Sequence, residues 1–138
     1  MADADVAAAQ QTLDELNDTD RVAAGWYGFA QPAGWAPLVL DLHTRIAAAH
    51  PNYQVRQAKE KFAGLRFYCT AGADPQVSAW IREAEQRSEA ICQITGRPGA
   101  TRSNPRGWVA VLCDALAEAF EAGTPLWQLA DTPQSDRL

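Results

Sequence analysis

The residues best suited to chemistry in this chain are two cysteines that frame an arginine-rich stretch. Between Ile91 and Leu116, Cys92 is followed by Thr95 where a Cys-x-x-Cys knuckle would put its second sulfur. Cys113 is followed by Leu116 where a second pair would end in Cys or His. The stretch has the outline of a small zinc finger with two of four ligands missing. A structural zinc takes four tetrahedral ligands, usually Cys or His, and neither Thr95 nor Leu116 replaces one. Cys92, Thr95, Cys113 and Leu116 are therefore expected as relic positions that bind no metal, with Ile94, Leu112 and Leu116 packing in place of the metal link. The cysteines are then inert core thiols.

The other candidates for chemistry are sparse. There is no Gly-rich phosphate cradle, no GxSxG and no HExxH. His43 falls at the edge of an apolar stripe without a carboxylate or cysteine at a useful spacing, and His50 precedes Pro51 at a helix end, where its charge would complement the dipole. Cys69 closes a strand-like run. Enzymatic activity and a cofactor are not expected, because nucleophile, base and metal are not assembled in any local pattern.

Short elements with strong punctuation position these residues. Val6, Ala9, Leu13 and Leu16 recur at helical spacing, which predicts an acidic helix over 4–17 that serves as an arm within residues 1–20. Residues 21–34 mix glycine, proline and aromatics and suit an irregular connection, with Trp26, Tyr27 and Phe29 expected as core anchors in preference to the alternative of an exposed binding patch. Trp35, Leu38, Val39, Leu42 and Ile46 predict a helix over about 36–49, opened by Pro37 and stopped by Pro51. Residues 53–70 alternate as two strands around a turn near Phe62-Ala63-Gly64, with Leu65, Phe67 and Cys69 on one face and Arg66, Tyr68 and Thr70 on the other. Asp74-Pro75 opens a helix expected to reach Ile94, with Gly96 as its stop.

A turn-rich loop with three arginines follows, then a strand over Trp108–Leu112 and a last helix from Cys113 or Asp114 to Gly123. Leu126, Trp127 and Leu129 are expected to dock, and 131–138 to fray. This predicts one α+β domain over 21–130, a short antiparallel hairpin packed by several helices. At 138 residues, a chain with 47% hydrophobic residues and five Trp can build such a core without disulfides.

The net charge of −5 is unevenly spread. Asp3, Asp5, Asp14, Glu15, Asp18 and Asp20 crowd the first twenty residues, while Arg56, Lys59, Lys61 and Arg66, then Arg97, Arg102 and Arg106, make the centre basic. Solvated surface is the plain reading of each cluster. The functional reading is a binding surface of Arg56, Lys59, Lys61, Arg66 and Tyr68 on the hairpin with Arg97, Arg102 and Arg106 in the loop. No leader-like segment or membrane span is evident and the three cysteines are odd in number, which together predict a cytoplasmic protein without a disulfide framework.

QAKEKFAGLRFY resembles the Q-x-K-E-K-F-G-x-L-R-F-Y signature of a group of small phage and bacterial proteins. In that group a helix, C-x-x-C-G-x-P-G, a Trp-containing strand and L-C-x-x-C or L-C-x-x-H follow. Here the corresponding text is C-Q-I-T-G-R-P-G and then G-W-V-A-V-L-C-D-A-L, so the likeness spans roughly residues 25–117 and departs at the metal ligands. It implies a degenerate, metal-free, treble-clef-like C-terminal half. The expected role is a non-catalytic adaptor or inhibitor, such as an immunity or phage counter-defence protein, that meets a basic protein partner through complementary charge. The alternative is a nucleic-acid-binding module derived from a zinc finger, with salt-sensitive affinity. Oligomeric state is open.

Overall fold

The computed structural model describes residues 3–130. Its elements are helices α1 (Asp3–Leu16), α2 (Ala36–Ala49), α3 (Pro75–Ser88), α4 (Asp114–Glu121) and α5 (Leu126–Ala130), and strands β1 (Gly28–Phe29), β2 (Val55–Glu60), β3 (Leu65–Cys69), β4 (Ala100–Ser103) and β5 (Val109–Leu112). The fold is α+β, with a three-stranded sheet in the order β1-β2-β3 and a separate two-stranded sheet of β4 and β5. β1 runs parallel to β2, and the other pairings are antiparallel. The tail beyond residue 130, expected to fray, lies outside the described residues.

The larger core forms between α1, α2, α3 and the three-stranded sheet. Helical spacing in α2 buries Leu38, Val39, Leu42 and Ile46, and strand alternation in β3 turns Leu65, Phe67 and Cys69 to the same interior. Trp35 is fully buried and its indole N–H donates to the Ile91 carbonyl at 2.8 Å, which satisfies the one polar group this side chain carries inside. The first helix is part of this core and not an arm: Leu13 is fully buried, Val6 and Ala9 nearly so. Its acids Asp5, Asp14 and Glu15 face solvent. Asn17, just past its end, bonds both the N–H and the C=O of Phe29.

Two expectations about aromatics are corrected. Of the trio in the 21–34 connection only Phe29 enters the core, whereas Trp26 and Tyr27 are exposed. The run meets β2 at Val22, which bridges Val55, and again at β1, while the backbone between them carries Gly25 and Gly28 at positive φ and leaves Trp26 and Tyr27 outside. Trp108 and Trp127 are likewise exposed, and Leu129 alone of the α5 residues is deeply buried.

α3 begins as expected, with the Asp74 carboxylate accepting the Gln76 N–H at 2.9 Å and Pro75 in the first turn. It does not extend to Ile94. After Ser88 the chain leaves the helix, Ile91 bridges Pro98, and a tight turn follows in which Cys92 N–H donates to the Arg97 carbonyl at 2.7 Å and Gly96 N–H to the Cys92 carbonyl at 2.9 Å. Gly34 explains how this turn docks on the larger core: a Cβ there would meet the Cys92 carbonyl oxygen at 2.2 Å, and its N–H donates to the Gln93 carbonyl. Residues 97–106 are not a plain loop either, since β4 lies within them and pairs with β5. Cys92, Ala110, Leu112, Cys113, Leu116, Phe120 and Leu129 form a second, smaller cluster beneath α4.

Side chains close most of the sheet edges. Asn17 covers β1. On β3, Leu65 N–H donates to the Ser88 hydroxyl at 2.9 Å and Phe67 N–H to the Glu85 carboxylate at 3.1 Å, so α3 seals that edge. Gln93 covers β5 through its side-chain oxygen, which accepts the Val111 N–H, and its own N–H, which donates to the Val111 carbonyl.

Candidate binding groove

Of the four positions compared with zinc ligands, Cys92, Cys113 and Leu116 share the smaller core cluster. Thr95 N–H donates to Cys92 Sγ at 3.4 Å, so the knuckle turn keeps an N–H aimed at sulfur, while the Thr95 hydroxyl accepts the Arg97 N–H. Cys113 precedes α4 and its carbonyl takes the N–H groups of Leu116 and Ala117, both at 3.1 Å. Cys92, Thr95, Cys113 and Leu116 are all buried, and the three cysteines are free thiols. Among the described residues no three His, Cys, Asp or Glu side chains gather. A hydroxyl and an isobutyl group in place of two ligands do not fit a four-coordinate zinc.

The histidines are engaged in the scaffold. His43 Nδ1 lies 2.5 Å from the Tyr53 hydroxyl, Phe29 packs edge-on against its ring, and the Arg21 guanidinium lies 4.7 Å over the Tyr53 ring. Burial, and secondarily the Arg21 charge, push the His43 pKa below its ordinary value. Burial also pushes the Tyr53 hydroxyl well above the usual tyrosine range, and raises the Cys69 thiol, which disfavours the thiolate a nucleophile needs. His50 Nε2 meets Asp74 Oδ2 at 2.7 Å and joins the end of α2 to the start of α3. That hydrogen bond, then the one from Gln76 N–H, holds the Asp74 carboxyl below its ordinary range.

The eight basic and aromatic positions expected to share one surface are divided. Arg56 and Tyr68 line a groove of about 330 Å³ against Ser78, Ile81, Arg82 and Glu85 of α3. Lys59 stands opposite Arg66 across β2 and β3, and the Arg66 guanidinium folds back to the Leu65 carbonyl at 2.9 Å. Arg102 is committed within the molecule, bonding Asp114 at 2.8 Å and the Leu112 carbonyl at 3.3 Å. The Arg97 backbone belongs to the knuckle turn. Lys61 and Arg106, forty-five residues apart in sequence, come together.

They meet in a groove of about 450 Å³ lined by Glu60, Lys61, Phe62, Arg106, Gly107, Trp108 and Val109. One wall is the β2–β3 turn. Phe62 and Ala63 occupy its centre at φ +52° and +63°, and Lys61 and Gly64 exchange both backbone hydrogen bonds, the pattern of a type I′ hairpin. Such turns favour Asn-Gly, and the left-handed conformation costs an L-residue about 1–2 kcal/mol. Two contacts hold it: Ala63 is buried, and its N–H donates to the Glu60 carboxylate at 2.8 Å. Phe62 is thereby held outward, 80% exposed, with Lys61 Nζ 5.8 Å from its ring centroid.

The other wall is the β4–β5 turn. The Asn104 side chain accepts the N–H groups of Arg106 and Trp108 at 3.0 and 2.9 Å, Asn104 N–H donates to the Trp108 carbonyl, and Gly107 supplies a positive φ. This braced turn holds Trp108, 70% exposed, at the groove. Phe62 and Trp108 are the residues that sequence reasoning missed. The signal for Phe62 was its place at the tip of a tight hairpin, where no neighbour remains to cover it. Trp108 follows Asn-Pro-Arg-Gly, but strand alternation alone assigns it no partner. Comparison of the chain with protein-family models, with curated proteins and with solved structures gives no match, so the groove is read from its own geometry.

Proposed function

We propose that this protein is a non-catalytic binding module, an adaptor or inhibitor, that engages a protein partner through the groove between Phe62 and Trp108. One observation carries the reading: two large aromatic side chains from separate hairpins are held out of the core by braced turns, and one of those turns is strained to do it. Exposed aromatics flanked by single cations are the residues that concentrate energy at protein interfaces, where a few anchors dominate. Lys61 and Arg106 favour an acidic segment. This differs from the basic partner expected on net charge, because cations line the groove.

A nucleic acid is the second reading, since exposed aromatics also stack bases. The cation supply disfavours it. Arg102 is spent on Asp114, Arg56 faces another groove, and Lys61 and Arg106 alone line this one. At about −0.7 per phosphate in a single strand, two contacts give a log–log salt slope of only about −1.4.

The test compares wild type with Phe62→Ala and Trp108→Ala in quantitative affinity capture from host extract, alongside titration with labelled single-stranded DNA and RNA at two salt concentrations. A protein retained by wild type and weakened about 30-fold or more by either substitution is expected, the loss of an anchor worth about 2 kcal/mol. Tight, steeply salt-dependent nucleic-acid binding lost on Lys61→Glu and Arg106→Glu would overturn the reading.

A further inference from the structure

α3 supplies an acceptor to each of the first two backbone N–H groups on the outer edge of β3, Ser88 to Leu65 and Glu85 to Phe67. At the third, Cys69, the pattern changes. Val55 stands opposite Cys69 but spends its N–H on the Arg21 carbonyl and its C=O on the Ala23 N–H, so the backbone N–H of Cys69 is turned away from β2, in phase with Leu65 and Phe67. One turn back along α3 from Glu85 stand Ile81 and Arg82, and a groove of about 330 Å³ lies between them and the strand. Among the described residues no hydrogen bond reaches the Cys69 N–H.

The groove carries its own charges. The Arg56 guanidinium donates to the Cys69 carbonyl at 3.4 Å and the Arg82 guanidinium to the Ser78 hydroxyl at 3.1 Å, both uncharged oxygens, and neither arginine forms an ion pair among the described residues. Glu85 brings one carboxylate, already engaged with the Phe67 N–H. Two cations against one anion leave a single positive charge. Tyr68, 47% exposed, and the half-buried Ile81 add apolar walls. We infer that this groove binds a monocarboxylate with an apolar body: the carboxylate accepts the Cys69 N–H between Arg56 and Arg82, and the body lies on Tyr68 and Ile81.

Size and charge select the ligand. Clefts of about 300–1,000 Å³ take small molecules, and this one lies at the low end of that range. A dianion such as a phosphate monoester would bring an uncompensated charge beside Glu85, whereas one carboxylate balances the groove. The bond between Glu85 and the Phe67 N–H is the internal precedent for the pose, one rung along the same strand edge. The carboxylate belongs either to a free acid or to the C-terminus of a peptide with an aromatic last residue. The site shares no lining residue with the Phe62–Trp108 groove, so it stands independently of the partner-binding reading.

The test follows the backbone amide spectrum of the isotope-labelled full chain during titration with phenylacetate, phenylacetamide, phenyl phosphate and a short peptide ending in a phenylalanine with a free carboxylate. Phenylacetate is expected to shift the Cys69 amide saturably. It should bind about tenfold or more tightly than phenylacetamide, with a similar loss on Arg56→Gln or Arg82→Gln, the effect of removing a charge-assisted hydrogen bond. The same spectra report whether each variant is folded. Tighter binding of the peptide than of phenylacetate would assign the groove to a chain terminus, and the reverse to a free acid; either supports carboxylate capture. Phenyl phosphate binding more tightly than phenylacetate would overturn the monoanionic ligand. Binding that survives both substitutions together, or that leaves the Cys69 amide unmoved, would overturn the site, as would the absence of saturable shifts with both the acid and the peptide. Partner capture through Phe62 and Trp108 is untouched by each of these results.

Discussion

The two sheets handle their exposed backbone differently. In the three-stranded sheet both outer edges are capped by side chains from packed helices or their flanks, and the strands enclose Leu65, Phe67 and Val55 under α2 and α3. In the β4–β5 sheet one edge is closed by Gln93, the other has no hydrogen-bond partner among the described residues, and the cluster beneath is smaller and includes the thiols of Cys92 and Cys113. The contrast teaches a division of labour. The larger half supplies most of the buried core, while the smaller half is held by a turn docked at Gly34 and keeps an exposed strand edge and an exposed tryptophan.

The most severe test of that division is Leu112→Ala. Leu112 is fully buried in the smaller cluster, and its truncation should cost about 2–5 kcal/mol, as core Leu→Ala changes do. Hydrogen exchange is expected to quicken first in β4, β5 and α4 while β2 and β3 stay protected. Uniform loss of protection would show that the two clusters unfold as one unit. Next in size is Gln93→Ala, which strands the Val111 N–H in the interior at a cost of about 1–3 kcal/mol in chemical denaturation. It also bares the second edge of the β4–β5 sheet, so self-association on sizing columns should rise.

Phe62→Asn sharpens the comparison in the opposite direction. Asn is at home in a left-handed turn position, and the exposed ring gives up little burial, so stability should increase by about 1 kcal/mol while partner binding falls. A variant that loses both stability and binding would show that the strain has no relation to function.

The smallest expected effect is on pH dependence, and it belongs to the larger half. His43 has its folded-state pKa lowered from 6.5, so the unfolded chain binds more protons in this range and stability rises with pH. The contribution is complete above about pH 6.5 and is lost as pH falls from there through the folded pKa. Asp74 is also lowered, from 3.8, so its contribution persists to more acid pH and fades only as the carboxylate protonates below that value. Thermal melts of wild type and His43→Gln between pH 7.5 and 5 should converge as pH falls. Parallel profiles would remove His43 as the cause.

Much of the fold was legible. The α2 stripe, the Asp74-Pro75 start of α3 and the two-face alternation of β3 are local patterns, and the structure realises each within a residue or two. α3 ended early because a tertiary contact, the docking of Cys92 and Gln93 on Gly34, outweighed an apolar spacing that would have continued the helix. β4 was hidden among Gly, Pro and Arg, whose turn propensity masks a strand stabilised only by its partner β5. The candidate site was half legible. Lys61 and Arg106 were marked by charge, but Phe62 was read only as part of a turn and Trp108 only as the start of a strand, and neither was given a binding role.

Composition and spacing were sufficient for the α+β class and for the α2–α3 scaffold with its hairpin, because amphipathic period and capping are properties of short stretches. Tertiary structure alone decided which cations share a groove, which aromatics stay outside, and which strand edges packed side chains close. Those outcomes depend on pairings between residues tens of positions apart, such as Lys61 with Arg106 and Gln93 with Val111, and no local pattern encodes where a distant side chain will arrive.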